Sequence, residues 1–508
     1  MKKQELLEKL EIYQIDLLAY LVHAGGTATK KELVTYLNIS DYFFIKTIDN
    51  LKFLAKKSNH RFSIETTKRT ITFHTKPDYS LHILYNEFIS SAPKYKILKE
   101  LFWSGTINIA RLCKKINISH STYFRKISEL NQLLKEFDLS IQNGCLIGSE
   151  LQIRFFYVSL YSITDFEEPF DIPHTDPRIH EAVSQLQQAL DRPLSTIAKK
   201  KLTSYLSILK RRYAQKNISF STEQNNLFYH ETDQQNQKSF LSSLQKTELF
   251  KKFNKILKAF LTYYSFKSSN IETVWLILYI IGEDLIPARS YFLAELEQIE
   301  KQHTFFIFQM KEEFLFFLKK HYPNADLEKI HNAIFHYYLK SVSYHYLIFK
   351  GQIDAQWVST TKDLEKESDY ATIATFIENL KQQYPPELID ALYSDSLIKK
   401  YLNALHFYKK WINTKISVGI FIEGDLLEKK NFTNWWINYI KLSHFAHAEP
   451  LKPNHSYDLV ISNVNQAQLR SKGKFFFFMS DYSAKVDITD LDQLLQEIHA
   501  SMQHSVSH

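Results

Sequence analysis

One pattern occurs twice in the first 150 residues and restricts their fold more than any other feature. The tripeptide at 117–119, Asn-Ile-Ser, joins two amphipathic stretches, and the same tripeptide at 38–40 joins two similar stretches 79 positions earlier. Apolar residues after each tripeptide recur at the spacing of a helix packed on a core. The alignment keeps apolar residues at equivalent positions: Leu33 and Leu112, Leu37 and Ile116, Phe44 and Tyr123, Ile48 and Ile127, Leu51 and Leu130. The repeat predicts two copies of one unit, each with two short helices across a tight turn.

A hairpin pattern follows each copy. After the first, two alternating segments flank Lys68 and Arg69; after the second, two short apolar segments flank Asn143-Gly144. Asn-Gly between apolar segments is a strong hairpin signal. Because a helix-turn-helix followed by a hairpin is a winged helix, we predict two winged helices. Lys68 and Arg69 then lie at a wing tip, where they can reach phosphates.

The second helix of the later copy offers the best candidates for base contact. The residues that we predict to contact double-stranded DNA from this helix are His120, Ser121, Phe124, Arg125 and Lys126. Lys46 is the equivalent of Arg125 in the first copy and stands among Asp41, Tyr42 and Phe43. We therefore expect the second copy to dominate DNA binding. Taken alone, this stretch is equally compatible with an ordinary helical hairpin.

The distribution of charge favours nucleic-acid binding. Residues 1–150 hold 22 Lys and Arg against 15 Asp and Glu, whereas the remaining 358 residues hold 41 against 40. Nearly all of the net charge of +8 therefore lies on the segment that carries the repeat. A basic domain on a neutral body is the electrostatic signature of a protein that binds DNA phosphates.

Composition and motifs argue against other classes. The chain has 508 residues, of which 44% are hydrophobic, so it can form several packed domains. It contains 10 glycines and none of the common nucleotide-binding or hydrolase motifs. We expect no enzyme activity, no catalytic residue, no cofactor and no metal site. The absence of a membrane span or secretion signal, with two cysteines, predicts a cytoplasmic protein.

The rest of the chain divides by pattern into helical and mixed regions. Residues from about 150 to 411 show helical periodicity, in two blocks that meet near residue 290. In the last hundred residues, apolar strands alternate with helices, which predicts an α/β domain with a mainly parallel sheet.

The whole chain resembles the Mga/AtxA-type transcription regulators of Gram-positive bacteria. The segments "ISHSTYFRKISELNQLL" and "IGSELQIRFFYVSLY" carry the most specific part of the resemblance, followed by the domain order. The resemblance implies a mainly α, multidomain chain: two winged helices, two all-α phosphotransferase-regulation domains (PRDs), and a C-terminal α/β domain like the EIIB component of sugar phosphotransferase systems. The boundaries that we predict are 1–76, 77–149, 150–290, 291–412 and 413–508. The implied function is activation of transcription, often of virulence or surface-protein genes.

The resemblance also implies sites of regulation. Where PRDs usually carry phosphorylatable histidines, the first block has Tyr205 and Tyr279. In the second block, His336 and His406 lie nearest the expected positions, and phosphotransferase-system proteins are the implied partners. The EIIB-like domain has no cysteine to accept phosphate, and Glu423 and Asp425 follow its first strand. We expect it to have lost that chemistry and to form a homodimer together with the second PRD.

Two alternative functions remain open. A PRD-containing activator of a sugar-uptake operon is the closest rival of the same class. An RNA-binding antiterminator also carries paired PRDs, but it begins with a small β RNA-binding domain rather than a repeated helical unit.

Overall fold

The computed structural model describes most of the chain. The described residues are 1–58, 61–76, 79–163, 176–191, 193–215, 234–286, 290–303, 305–322, 333–353, 369–384, 389, 395–409, 416–443, 445–479 and 485–505. They form two compact units, which comprise residues 1–311 with 340–398 and residues 312–339 with 399–508.

The first unit begins with a winged helix. Its elements are α1 (Lys9–His23), β1 (Thr27–Thr29), α2 (Lys30–Leu37), α3 (Asp41–Lys57), β2 (Phe62–Thr66) and β3 (Thr70–Thr75). The three strands form an antiparallel sheet in the order β1-β3-β2. Leu33, Phe44 and Leu51, from the predicted apolar stripe, are buried. The predicted pair of helices and hairpin is therefore present.

A second winged helix follows with the same plan. Its elements are α4 (Leu81–Ser91), α5 (Pro93–Ser104), α6 (Ile109–Ile116), α7 (His120–Leu134), β4 (Ser140–Gln142) and β5 (Cys145–Ile147). Helix α6 begins and ends 79 residues after α2, and α7 begins 79 residues after α3. Thr106, which stands 79 residues after the start of β1, forms a single bridge to Cys145. The repeat seen in the sequence is thus a repeat of structure.

The secondary-structure elements described between residues 150 and 409 are helices. They are α8 (Glu150–Ser162), α9 (Pro177–Ala189), α10 (Thr196–Ala214), α11 (Gln234–Lys246), α12 (Glu248–Tyr263), α13 (Asn270–Gly282), α14 (Phe292–Gln302), α15 (Phe306–His321), α16 (Ala333–Ile348), α17 (Tyr370–Gln383) and α18 (Asp395–Lys409). Every residue of α13 from Ile271 to Ile281 is buried. A helix that is apolar on nearly all sides belongs at the centre of a helical core.

A buried cluster of charges joins α8, α10 and α13. Arg154 donates hydrogen bonds to Glu272 at 2.5 and 3.0 Å and to Glu150 at 2.9 Å. Arg212 donates to Glu150 at 2.7 Å, and the Tyr213 hydroxyl donates to Glu272 at 2.9 Å. Burial alone would raise the pKa of Glu150, but the two guanidinium groups outweigh it and lower that pKa. Loss of one partner from such a cluster costs about 3–5 kcal/mol, because the others stay buried and unpaired.

The C-terminal region is a small α/β fold in the second unit. Its elements are β6 (Ile416–Phe421), α19 (Leu426–Ile440), β7 (Ala446–Pro450), β8 (Tyr457–Ser462), α20 (Ala467–Arg470), β9 (Gly473–Phe478) and α21 (Lys485–Ser505). All four strands are parallel, in the order β7-β6-β8-β9. The core contains Val418, Trp436, Leu459 and Leu491. This region agrees with the predicted α/β domain.

Candidate nucleic-acid interface

Both helix-turn-helix units make the same turn. The first helix of each pair ends at an asparagine in the left-handed conformation, Asn38 with φ 51° and Asn117 with φ 57°. Asparagine adopts this conformation more readily than most residues. Two residues later, Ser40 and Ser119 each accept a hydrogen bond from the backbone N–H three positions on, which caps α3 and α7. The two units therefore start their second helices in the same way.

The outer face of α7 is polar and carries a prominent cation. Arg125 exposes 67% of its side chain and lies 3.9 Å from Glu129. His120 and Ser121 are exposed on the same helix, and Phe124 is 59% exposed. An arginine can read a guanine edge, and an aromatic ring can contact a thymine methyl group. This face has the chemistry of a recognition helix, and its contacts with bases stay a prediction.

The prediction was wrong for Lys126, because the structure buries this side chain. Lys126 is 6% exposed, and its Nζ lies 2.8 Å from Glu8 and 3.1 Å from Glu129. An ammonium group on a buried side chain, held by two carboxylates, is not available to a DNA phosphate. The sequence contained a signal for this placement: Lys126 stands three residues after Tyr123 and four before Leu130, and both of these are core residues.

Lys126 belongs to a cluster of charges that joins the two winged helices. Glu8 precedes α1, and its carboxylate pairs with Lys126 of α7. Lys94 of α5 lies 3.1 Å from Glu129 and donates a hydrogen bond of 2.6 Å to the carbonyl oxygen of Glu5. Burial alone would raise the pKa of Glu129, but hydrogen bonds from Lys126 and Lys94 outweigh it and lower that pKa. The cluster fixes the start of the first winged helix against the second.

The outer face of α3 is different, because it is largely apolar. Lys46 is exposed as predicted from the repeat. Around it, Tyr42 is 70% exposed, Phe43 47% and Ile45 53%. Asp41 at the start of the helix lies 2.9 Å from Lys30. At this position the first helix-turn-helix therefore presents Lys46 among apolar groups, whereas the second presents a polar face.

The two wings also differ at their tips. Lys68 and Arg69 are exposed between β2 and β3, and the Thr67 hydroxyl fixes their turn by accepting a hydrogen bond from Thr70 N–H at 2.9 Å. The second wing turns at Asn143-Gly144, with φ 49° and 75°. Only the first wing presents cations at its tip, so contact with phosphates is a prediction for that wing.

The predicted phosphorylation sites lie in the second unit. His336 is in α16 and His406 is in α18, and both side chains are half-buried. Their chain neighbours Phe335 and Phe407 stack with ring centroids 5.7 Å apart. The two histidines therefore stand on neighbouring helices, and nothing in this geometry tests their phosphorylation.

Tyr205 and Tyr279, which replace the histidines expected in the first block, are in contact. Their rings stack with centroids 4.6 Å apart, and both side chains are fully buried. Burial raises the pKa of both phenols. This pair forms part of the helical core.

The loop after β6 and the following helix have an ordinary structural role. Asp425 caps α19 by accepting hydrogen bonds from the N–H groups of Leu427 and Glu428. Of the two adjacent tryptophans in α19, Trp436 is fully buried, whereas Trp435 is 39% exposed. The core takes one of the two adjacent rings because α19 packs on the sheet with one face.

In the ranges that the structure describes, no group of three or more His, Cys, Asp or Glu side chains could hold a metal ion. Across the same residues, no helix has both the length and the apolar character needed to span a bilayer.

Two linked helix-turn-helix units, one with a polar and basic outer face, define the class of helix-turn-helix transcription regulators. Within that class, the model of the Mga helix-turn-helix domain matches residues 77–161, which include the second winged helix and nearly all of α8. The match confirms the resemblance to the Mga/AtxA-type regulators.

Two curated relatives have names of the same kind. A trans-acting regulator of Streptococcus pneumoniae serotype 4 is 24% identical over 179 residues, which are 34% of this chain and 36% of that protein. The capsule synthesis positive regulator AcpB of Bacillus anthracis is 28% identical over 125 residues, which are 24% of this chain and 26% of AcpB. The chain spans well under half the length of either relative in these alignments.

Proposed function

We propose that the chain is a DNA-binding transcription regulator of the Mga/AtxA type that activates its target genes. The observation that carries the proposal is the exposed face of α7 with Arg125, inside the residues that match the Mga helix-turn-helix domain. The concentration of positive charge in residues 1–150 supports it. The proposal of activation follows the name of AcpB, which is a positive regulator.

The proposed contacts divide by chemistry. His120, Ser121, Phe124 and Arg125 enter the major groove and contact base edges, which gives sequence specificity. Lys68 and Arg69 contact phosphates and fix the orientation of the protein on the duplex. Lys46 makes a weaker contribution, because apolar side chains surround it.

The decisive experiment maps where the purified full-length chain binds on fragmented genomic DNA. We expect enrichment of a limited set of promoter regions and stimulated transcription from them in vitro. Arg125→Ala should lower the enrichment clearly, whereas Lys135→Ala removes an equal, exposed charge just after α7 and should retain it. Uniform binding to all fragments by the wild-type chain would argue against the proposal.

The same map separates the alternatives. Bound promoters of surface or virulence genes support the leading proposal, and promoters of sugar-uptake genes support the alternative activator. An antiterminator would prefer a structured transcript to duplex DNA. Competition between the two ligands measures that preference, and a preference for RNA would reject the DNA-binding proposal.

We further propose that the two helical blocks are PRDs and that they control activity. If phosphotransferase-system proteins are partners, they should transfer labelled phosphate to His336 or His406. His336→Ala and His406→Ala, singly and together, identify the acceptor. If neither residue carries the label, His336 and His406 are rejected as phosphate acceptors. Label on another residue would make that residue the proposed site of regulation.

The C-terminal region is proposed to be EIIB-like and to pair with a second copy, together with the second PRD, in a cytoplasmic homodimer. Strand β9 supports this proposal, because it pairs only with β8 among the described strands and exposes Phe475 and Phe478. Light scattering of the full chain with Phe475→Lys should show a lower oligomeric state. Leu442→Lys changes another exposed apolar residue and serves as the control. Equal mass for both variants would reject β9 as the pairing element.

A further inference from the structure

The segment after α16, residues 349–353, is anchored to α8. The Phe349 ring stacks on Phe155, with centroids 4.1 Å apart and 15° between the ring planes. The side-chain amide of Gln152 pairs with the backbone of Lys350: Nε2 donates to the carbonyl oxygen at 2.6 Å, and Oε1 accepts from the N–H at 3.2 Å. Phe349 is only 2% exposed, so the contact that anchors the segment is buried and does not lie on the surface.

The next residues of the segment contact the connection between α7 and the wing. Gln352 N–H donates to Glu136 at 3.1 Å. Gly351 has φ +73°, and a Cβ at this position would lie 2.9 Å from the Phe137 ring and 3.0 Å from the carbonyl oxygen of Glu136. Only glycine satisfies both the conformation and the close approach. The sequence therefore places a glycine where the helical region touches the DNA-binding region.

The position of this contact gives it a consequence for DNA binding. Glu136 and Phe137 lie between the end of α7 at Leu134 and the start of β4 at Ser140. A displacement of this connection changes the angle between the recognition helix and the wing. We propose that the 349–353 segment positions α7 and its wing for DNA, and so couples the helical region to DNA affinity, with Gly351 and Gln152 as positioning residues. This inference rests on the proposed function.

The test compares two glycine variants in the full-length chain. Gly351→Ala brings a methyl group against Phe137, whereas Gly25→Ala has the same φ of +73° but no heavy atom within 4 Å of the added carbon. Both variants carry the backbone strain, and only the first breaks the contact. We expect Gly351→Ala and Gln152→Leu each to weaken binding to a mapped promoter by about three- to thirty-fold, and Gly25→Ala to change it much less. Equal losses in the two glycine variants would overturn the proposal.

A second measurement distinguishes coupling from simple destabilisation. Coupling is reciprocal, so DNA that favours the docked segment must protect it. Hydrogen exchange at the Lys350 and Gln352 amides of the wild-type chain should slow when promoter DNA is added. Unchanged exchange there, with α7 protected by DNA, would overturn the coupling.

Failure of the proposed function gives a different result. A wild-type chain that binds no DNA rejects the proposed function directly. The positioning role is then judged without DNA: Gly351→Ala should speed exchange in residues 134–147 and leave residues 27–57 unchanged. Equal exchange in residues 134–147 of the variant and the wild-type chain would reject it.

Discussion

The two winged helices share a backbone plan but differ on the faces that point outward. Asn38 and Asn117 make equivalent turns, and Phe44 and Tyr123 occupy equivalent core positions. Outside the core, α3 exposes aromatic and aliphatic groups, whereas α7 exposes polar groups and Arg125. Caps and core stripes define the unit, and the outer faces are free to acquire different roles.

The inner faces differ at one position as well. Thr47 of α3 is buried and donates a hydrogen bond of 2.8 Å to the carbonyl oxygen of Phe43, within its own helix. Its equivalent, Lys126, is buried but pairs with Glu8, which precedes α1. The same position therefore makes a hydrogen bond within its own helix in the first winged helix. In the second, it makes an ion pair that attaches the two winged helices to each other.

The largest expected effect tests whether the two cores are equivalent. Phe44→Ala and Tyr123→Ala each remove a ring that is 2% exposed. Each should cost about 3–5 kcal/mol of local stability, because a cavity replaces the ring. Hydrogen exchange resolved by segment measures the loss in each winged helix separately. A loss of stability in one winged helix several times that in the other would show that the two cores are not equivalent.

The next effect tests the division of labour between the outer faces. Arg125→Ala should weaken promoter binding by about 1–3 kcal/mol if the guanidinium contacts a base. Lys46→Ala should cost less, because Lys46 stands among Tyr42, Phe43 and Ile45. Titration of one promoter with both variants gives the comparison. Equal losses, or a larger loss for Lys46→Ala, would show that both helices read DNA.

The sequence could predict the features that depend on local pattern. The asparagine and serine at each turn and the apolar stripe predicted both winged helices, because caps and periodicity act within a few residues. The spacing of Lys126 from Tyr123 and Leu130 indicates the inner face of α7, but a lysine is assigned to the surface by residue type. Its partner Glu8 is 118 positions away, so the pairing that stabilises the buried placement had no local signal.

The C-terminal region shows the same limit. Strongly apolar strands such as β6 and β8 follow from the sequence pattern, whereas the short strand β7 does not, since it contains Pro450 and polar residues. Trp436 and Trp435 cannot be told apart by composition, because only the packing of α19 decides which ring faces the sheet. The contact of Gly351 with Phe137 joins residues far apart in the chain and had no sequence signal.

A smaller effect concerns the attachment between the winged helices. Lys126→Met should lower stability by about 1 kcal/mol near neutral pH, because Glu8 and Glu129 are partly exposed and regain water. The folded-state pKa of Glu129 lies below its ordinary value of 4.5, so its contribution is present above pH 4.5 and is lost as pH falls through the lower, folded value. The difference between the variant and the wild-type chain should therefore shrink in acid.

Denaturation followed from pH 7 down to pH 3 checks this expectation. Thr47→Val is the matched control, since it changes the equivalent position without changing charge, and its effect should not depend on pH in that range. A Lys126→Met difference that stays constant with pH would show that the lysine acts through packing and not through its charge.

The smallest effect separates the two wings. Each phosphate contact contributes close to one unit to the slope of log affinity against log salt concentration. Lys68→Gln with Arg69→Gln should lower the magnitude of that slope by about two if both side chains contact phosphates. Lys441→Gln removes an exposed cation outside residues 1–150 and should leave the slope unchanged.

The reverse change at the second wing uses Gln142, an exposed residue beside Asn143-Gly144. Gln142→Lys should raise the magnitude of the slope by about one only if this wing also lies along the duplex. The contrary result is a steeper slope for Gln142→Lys together with an unchanged slope for the first-wing variants. It would mean that the second winged helix carries the phosphate contacts, and that the basic tip of the first wing serves another purpose.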